Sequence, residues 1–118
     1  MRIYRISKII PQWQRIGGDV IMYRGLSVYN ENGNYYTPDK EWARQFTQSG
    51  QDKEIISVKI TESRIYIADE LPRAYDEQSF DDGLKEAKEK GFGAFLLDEG
   101  NNEPPSVYVI DKSIVKRI

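Results

Sequence analysis

Apolar and polar residues alternate in RIYRI (residues 2–6), the period of two that predicts a β-strand, and DVIMYRGL (residues 19–26) reads as a second strand. PQW and the Gly17-Gly18 pair between them mark a turn, and the second strand is expected to end at Gly25. The Asn-rich SVYNENGN (residues 27–34) carries Asn32-Gly33, a pair suited to a tight turn that brings the chain back to Tyr35 and Tyr36. The pattern then becomes helical. Thr37 is placed to cap a helix by accepting a backbone N–H, Pro38 suits its first position, and Asp39 and Glu41 favour its positive end. Trp42, Ala43 and Phe46 are spaced to share an inward face.

Further along, EIISVKI (54–60) and RIYIA (64–68) are rich in Ile and Val and read as strands. DELPRAYDEQSF (69–80) is polar and irregular: a disordered loop, or a recognition loop containing Arg73 and Tyr75. DDGLKEAKEKG (81–91) predicts a short helix with a solvated face, its start marked by Asp81-Asp82 and its end by Gly91. GAFLLDEG (93–100) reads as a buried strand emerging into an acidic turn, SVYVI (106–110) as another strand, and IVKRI (114–118) closes the chain. Strands outnumber helices and do not alternate with them in βαβ units. The expectation is one α+β domain over residues 1–118, with a few short helices and a mostly antiparallel β-sheet open to being split.

Composition narrows the chemistry. The chain has 118 residues, no cysteine and no histidine, which excludes disulfides, thiolate nucleophiles, Ser-His and Cys-His dyads and the commonest transition-metal ligands. Carboxylates, tyrosines, arginines, lysines and hydroxyls are left for catalysis, with no metal expected. A net charge of −2 argues against a protein held to nucleic acid mainly through phosphates. No apolar run approaches the roughly 20 residues of a bilayer span, and Arg5 and Lys8 interrupt what would be a signal-peptide core. A cytoplasmic protein without membrane contact is expected.

Three stretches in order carry a resemblance: MYRGL (22–26), NYYTPDKEWARQF (34–46) and EKGFGAFLLDEGNNEPPSVYVIDKSIVKRI (89–118). Together they resemble the small ADP-ribosyltransferase-like proteins of bacteria and their phages, and the C-terminal stretch is similar to the tail of phage-borne members that include anti-CRISPR transferases. The resemblance implies an ADP-ribosyltransferase-like fold and NAD as substrate. It also implies transfer of ADP-ribose to a macromolecular target, with release of nicotinamide. The target implied is a protein in preference to a nucleic acid, and the setting a phage or mobile-element effector acting on a host protein.

By the same resemblance, Arg24 takes the position that holds a ribose or the phosphates, where a planar guanidinium fork can make two charge-assisted bonds. Gly25 lets the backbone approach the ligand. Tyr36 and Thr37 match the second motif, with Tyr35 as competitor; alternation along a strand predicts that only one of the two tyrosines lines the pocket. The acidic position falls to Asp98 first, Glu99 second and Glu103 third, since Ser106 stands where many relatives carry a glutamate at the strand start. Such a carboxylate stabilises the positive charge that builds on the anomeric carbon as nicotinamide leaves.

Each motif also has a plainer reading. Standing alone, YRGL fits a strand end with a surface arginine, YYTPDKEW a strand, cap and helix, and LLDEGNNE a solvated hairpin loop. Two other function classes follow: a non-catalytic binding or inhibitor protein built on the same fold, and an enzyme removing an RNA 2′-phosphate, which calls for a more basic pocket than this chain offers.

Overall fold

A computed structural model describes residues 13–27 and 33–118; the strand expected over residues 2–6 and the centre of the Asn-rich turn lie outside them. Among these residues the strands are β1 (Arg15–Ile16), β2 (Asp19–Gly25), β3 (Tyr35–Tyr36), β4 (Ile55–Thr61), β5 (Ile65–Tyr66), β6 (Ala94–Leu97), β7 (Ser106–Val109) and β8 (Val115–Arg117). The α-helices are α1 (Lys40–Arg44) and α2 (Glu77–Glu89), with short 3-10 turns at Asp52–Glu54, Glu62–Arg64 and Lys112–Ile114. The strands form two sheets, ordered β1-β2-β4-β8 and β3-β7-β6-β5. All pairings are antiparallel except β5 with β6. This is an α+β architecture with the sheet divided in two.

The division follows from which faces are apolar. Val20 and Met22 on β2 and Val58 and Ile60 on β4 turn one face of the first sheet inward, against Leu96 of β6 and Val107 and Val109 of β7. β6 is buried on both faces: Ala94 and Leu96 point to the space between the sheets, while Phe95 and Leu97 pack under Ala87 of α2. That is why AFLL is a continuous apolar run rather than an alternating one.

Both helices start elsewhere than the sequence suggests. α2 begins at Glu77, so residues 77–80 are helical and Asp81-Asp82 lie inside the helix. Asp76 is its cap, accepting the Ser79 N–H at 3.1 Å. The extra turn forms because Phe80, with Leu84 and Ala87, continues the face packed on Phe95. At the other end Gly91, at φ 81°, donates to the Lys88 carbonyl while Phe92 donates to that of Ala87, the paired closure expected of a glycine stop.

In α1 the cap is Asp39, which accepts the Trp42 N–H at 3.0 Å, so Pro38 precedes the cap instead of following it. Thr37 does not cap the helix because its backbone is engaged on both sides by Tyr23, as a strand residue would be. Its hydroxyl oxygen instead accepts from Asp39 N at 3.1 Å. The helix ends at Arg44, before Phe46, which is 48% exposed, while Ala43 is buried as expected. No helix among the described residues is long and apolar enough to cross a membrane.

Gly25 ends β2 directly beneath α1: a Cβ there would stand 2.1 Å from the Ala43 carbonyl oxygen. The close backbone approach that Gly25 permits is thus to the helix. Gly25→Ala is expected to destabilise the protein by about 3 kcal/mol through this overpacking, read as a lowered urea midpoint at constant slope; an unchanged midpoint would mean that α1 shifts freely.

Candidate functional site

β2 alternates inward and outward, and Arg24 has the same parity as Val20 and Met22. It therefore points inward at the place where the apolar core gives out, and it is only 6% exposed. The reading of Arg24 as a surface residue is overturned by this parity. Beside it, Tyr23 N–H donates to the Thr37 carbonyl (2.7 Å) and Thr37 N–H to the Tyr23 carbonyl (2.9 Å), bringing β3 and the turn after it alongside the end of β2. The space enclosed has a volume of about 290 Å³ and is lined by Arg24, Gly25, Tyr35, Tyr36 and Thr37. Glu99 and Ser106 of the β6–β7 hairpin complete one wall, α1 contributes Trp42, Ala43 and Phe46, and Ala74 closes the rim.

Arg24 dominates the electrostatics. Its Nη1 donates to the Tyr35 carbonyl at 3.0 Å, and its Cζ lies 6.0 Å from the Tyr36 ring centroid, at the outer reach of a cation–π contact. Its Nε and Nη2 are buried without an acceptor among the described residues. Burial lowers the Arg24 pKa from its ordinary value, Tyr36 acting the other way. Gly33 makes room for the guanidinium, since a Cβ there would come 2.2 Å from Nη2. Arg24 is thus a cationic residue of the cavity lining, of a charge that suits phosphate oxygens, while Nε and Nη2 themselves are closed off from the cavity.

Both tyrosines border the cavity, contrary to the expectation of one. β3 is two residues long and lies at the edge of its sheet, so residues of both its faces reach the cavity. Tyr35 turns toward Tyr108 and Phe80, with ring centroids 5.1 and 6.5 Å away, while Tyr36 packs on the core between the sheets. Burial raises the Tyr35 pKa, and the charge of Glu99 raises it further, which places that carboxylate within electrostatic reach of the ring. The Tyr36 pKa is also raised by burial, against the opposing charges of Arg24 and Arg117.

The three acidic candidates separate. Glu99 lines the cavity and accepts a hydrogen bond from the Ser106 hydroxyl. Asp98, one residue earlier, is 5% exposed and faces away from it into the loop: its carboxylate accepts the Gly100 N–H at 2.8 Å, and its backbone pairs with Pro72 and Ala74. This pairing anchors the 69–76 segment, so Pro72–Ala74 is built onto the end of β6. Glu103 lies on a separate, more open hollow of about 560 Å³ with Asn102, Pro104, Pro105 and Trp13, which shares only Tyr23 with the first.

Of the residues that the sequence points to, the fold gathers Arg24, Gly25, Tyr36, Thr37 and Glu99 at one cavity and leaves Asp98 outside it. Neither Ser106 nor Gly33 stands out in the sequence as a site residue. Ser106 is visible there only as a departure from a motif, and Gly33 only as half of a turn.

Arg24→Met keeps the volume and removes the unfilled donors. The ligand-free variant is expected to retain or exceed the wild-type melting temperature, because about 1–3 kcal/mol of unmet desolvation disappears with the charge. Inorganic pyrophosphate should raise the melting temperature of the wild type and not of the variant; equal shifts would place the anion elsewhere. Comparison with known protein families, curated proteins and solved structures finds no match to this chain.

Proposed function

We propose that the protein is an NAD-dependent ADP-ribosyltransferase with an ADP-ribosyltransferase-like fold, in which Glu99, rather than Asp98, is the catalytic carboxylate. The observation that carries this reading is a single cavity whose lining combines an arginine and a carboxylate, Arg24 and Glu99. A dinucleotide substrate needs both: a cation for its phosphates and an anion for the positive charge at the ribose. A volume of about 290 Å³ sits at the low end of ligand pockets, roughly 300–1,000 Å³. It suits the nicotinamide–ribose half of NAD, the remainder leaving past the exposed rings of Tyr35 and Phe46.

In the reaction the bond from the ribose anomeric carbon to the nicotinamide nitrogen breaks, its electron pair departing with neutral nicotinamide. An acceptor nucleophile bonds to that carbon and gives up its proton to solvent. Glu99 stabilises the positive charge on the ribose in the transition state, Tyr36 offers a ring face to nicotinamide, and Thr37 offers a hydroxyl to the ribose. No histidine, cysteine or metal is required by these roles. The acceptor is a protein in preference to a nucleic acid, in keeping with the net charge of −2. A phage or mobile-element effector acting on a host protein is the setting proposed.

Purified protein with NAD and cell lysate is expected to release nicotinamide. Glu99→Gln should lower the rate about 100-fold or more. Asp98→Asn, which keeps an acceptor for the Gly100 N–H, should stay within about threefold of wild type. The reverse ranking would return the catalytic role to Asp98. No release, together with no NAD binding by calorimetry, would sink the enzyme reading in favour of a binding or inhibitor protein.

A further inference from the structure

We infer that Ser106 is a positioning residue that holds the Glu99 carboxylate in place within the cavity. The inference rests on reading that cavity as the nicotinamide-releasing site. Glu99 lies two residues beyond the end of β6, in a loop whose next three residues, Gly100, Asn101 and Asn102, are all left-handed at φ 78°, 49° and 60°. Backbone of this kind gives a side chain no ladder to set its direction. Ser106 is the opposite case. It is the first residue of β7, its Cα is registered against that of Leu97, and it is 4% exposed.

The Ser106 Oγ donates to Glu99 Oε2 across the hairpin, and both side chains line the cavity. A hydroxyl fixed by the strand thereby sets the rotation of a carboxylate that its own backbone leaves undetermined, directing the other oxygen. The loop supplies the acid, and the strand supplies its aim. Asp98 supports the same arrangement from behind by closing the turn onto Gly100, without touching the cavity.

The test compares wild type, Ser106→Ala and Ser106→Thr by steady-state nicotinamide release and by the carbon-13 resonance of the Glu99 carboxylate at pH 7. Ser106→Ala is expected to lower kcat by about 10- to 100-fold with KM within about twofold, and to move the Glu99 resonance. Ser106→Thr, which restores the hydroxyl, should return both toward wild type. A Ser106→Ala protein with unchanged kcat, or with reduced kcat and an unmoved Glu99 resonance, overturns the inference. If wild type releases no nicotinamide, the functional reading fails by itself, and the resonance alone decides whether Ser106 orients Glu99.

Discussion

Two backbone hydrogen bonds between Tyr23 and Thr37 set the terms for everything around the cavity. They join the end of β2, in one sheet, to the residue after β3, in the other, at the point where the apolar filling between the sheets stops. Because Thr37 is held as a strand residue, Tyr35 presents its carbonyl to Arg24 and the helix cannot begin until Asp39. Because β2 is held at Tyr23, Gly25 falls under the Ala43 carbonyl and α1 settles across the opening. Each bond is worth about 1 kcal/mol net. Their geometric effect is larger than their energy, since the arginine, both tyrosines and the helix take their places from this one pairing.

The α+β class, the β2 strand and the glycine stop of α2 are legible in the sequence, because each rests on local composition or on one residue's dihedral preference. Boundaries that depend on tertiary contacts are not. Nothing local says that the Thr37 backbone is taken by Tyr23, so a good capping residue there places the helix two residues early. Likewise Phe80 extends α2 only because Phe95 lies beneath it. Arg24 shares even spacing with Val20 and Met22, but the run Val20-Ile21-Met22 does not say which face is inward, and an arginine at a strand end is usually solvated. The position of Glu99 against Asp98 cannot be read at all: beyond the end of a strand, alternation no longer assigns faces.

The 98–105 loop shows how neighbouring acids acquire unrelated roles. Asp98 is spent on architecture, its carboxylate closing a tight turn and its backbone tying down Pro72–Ala74. Glu99 is left facing the cavity, steadied from across the hairpin. Tyr75 lies over Gly100, where even a methyl group would come within 2.9 Å of its ring. The loop is therefore irregular in conformation yet packed, which lets a hairpin connection carry a precise side chain without extending either strand.

On the reading proposed above, Arg24 would link the protein's persistence to its ligand. Any anion that binds the folded chain and not the unfolded one shifts the folding equilibrium by RT ln(1 + [L]/Kd), about 2.7 kcal/mol at a hundredfold excess over Kd. An anion held by Arg24 would supply that stabilisation. Inside a cell, molecules with a filled cavity would outlive empty ones before proteases, so the surviving pool would rise and fall with the supply of the molecule it binds.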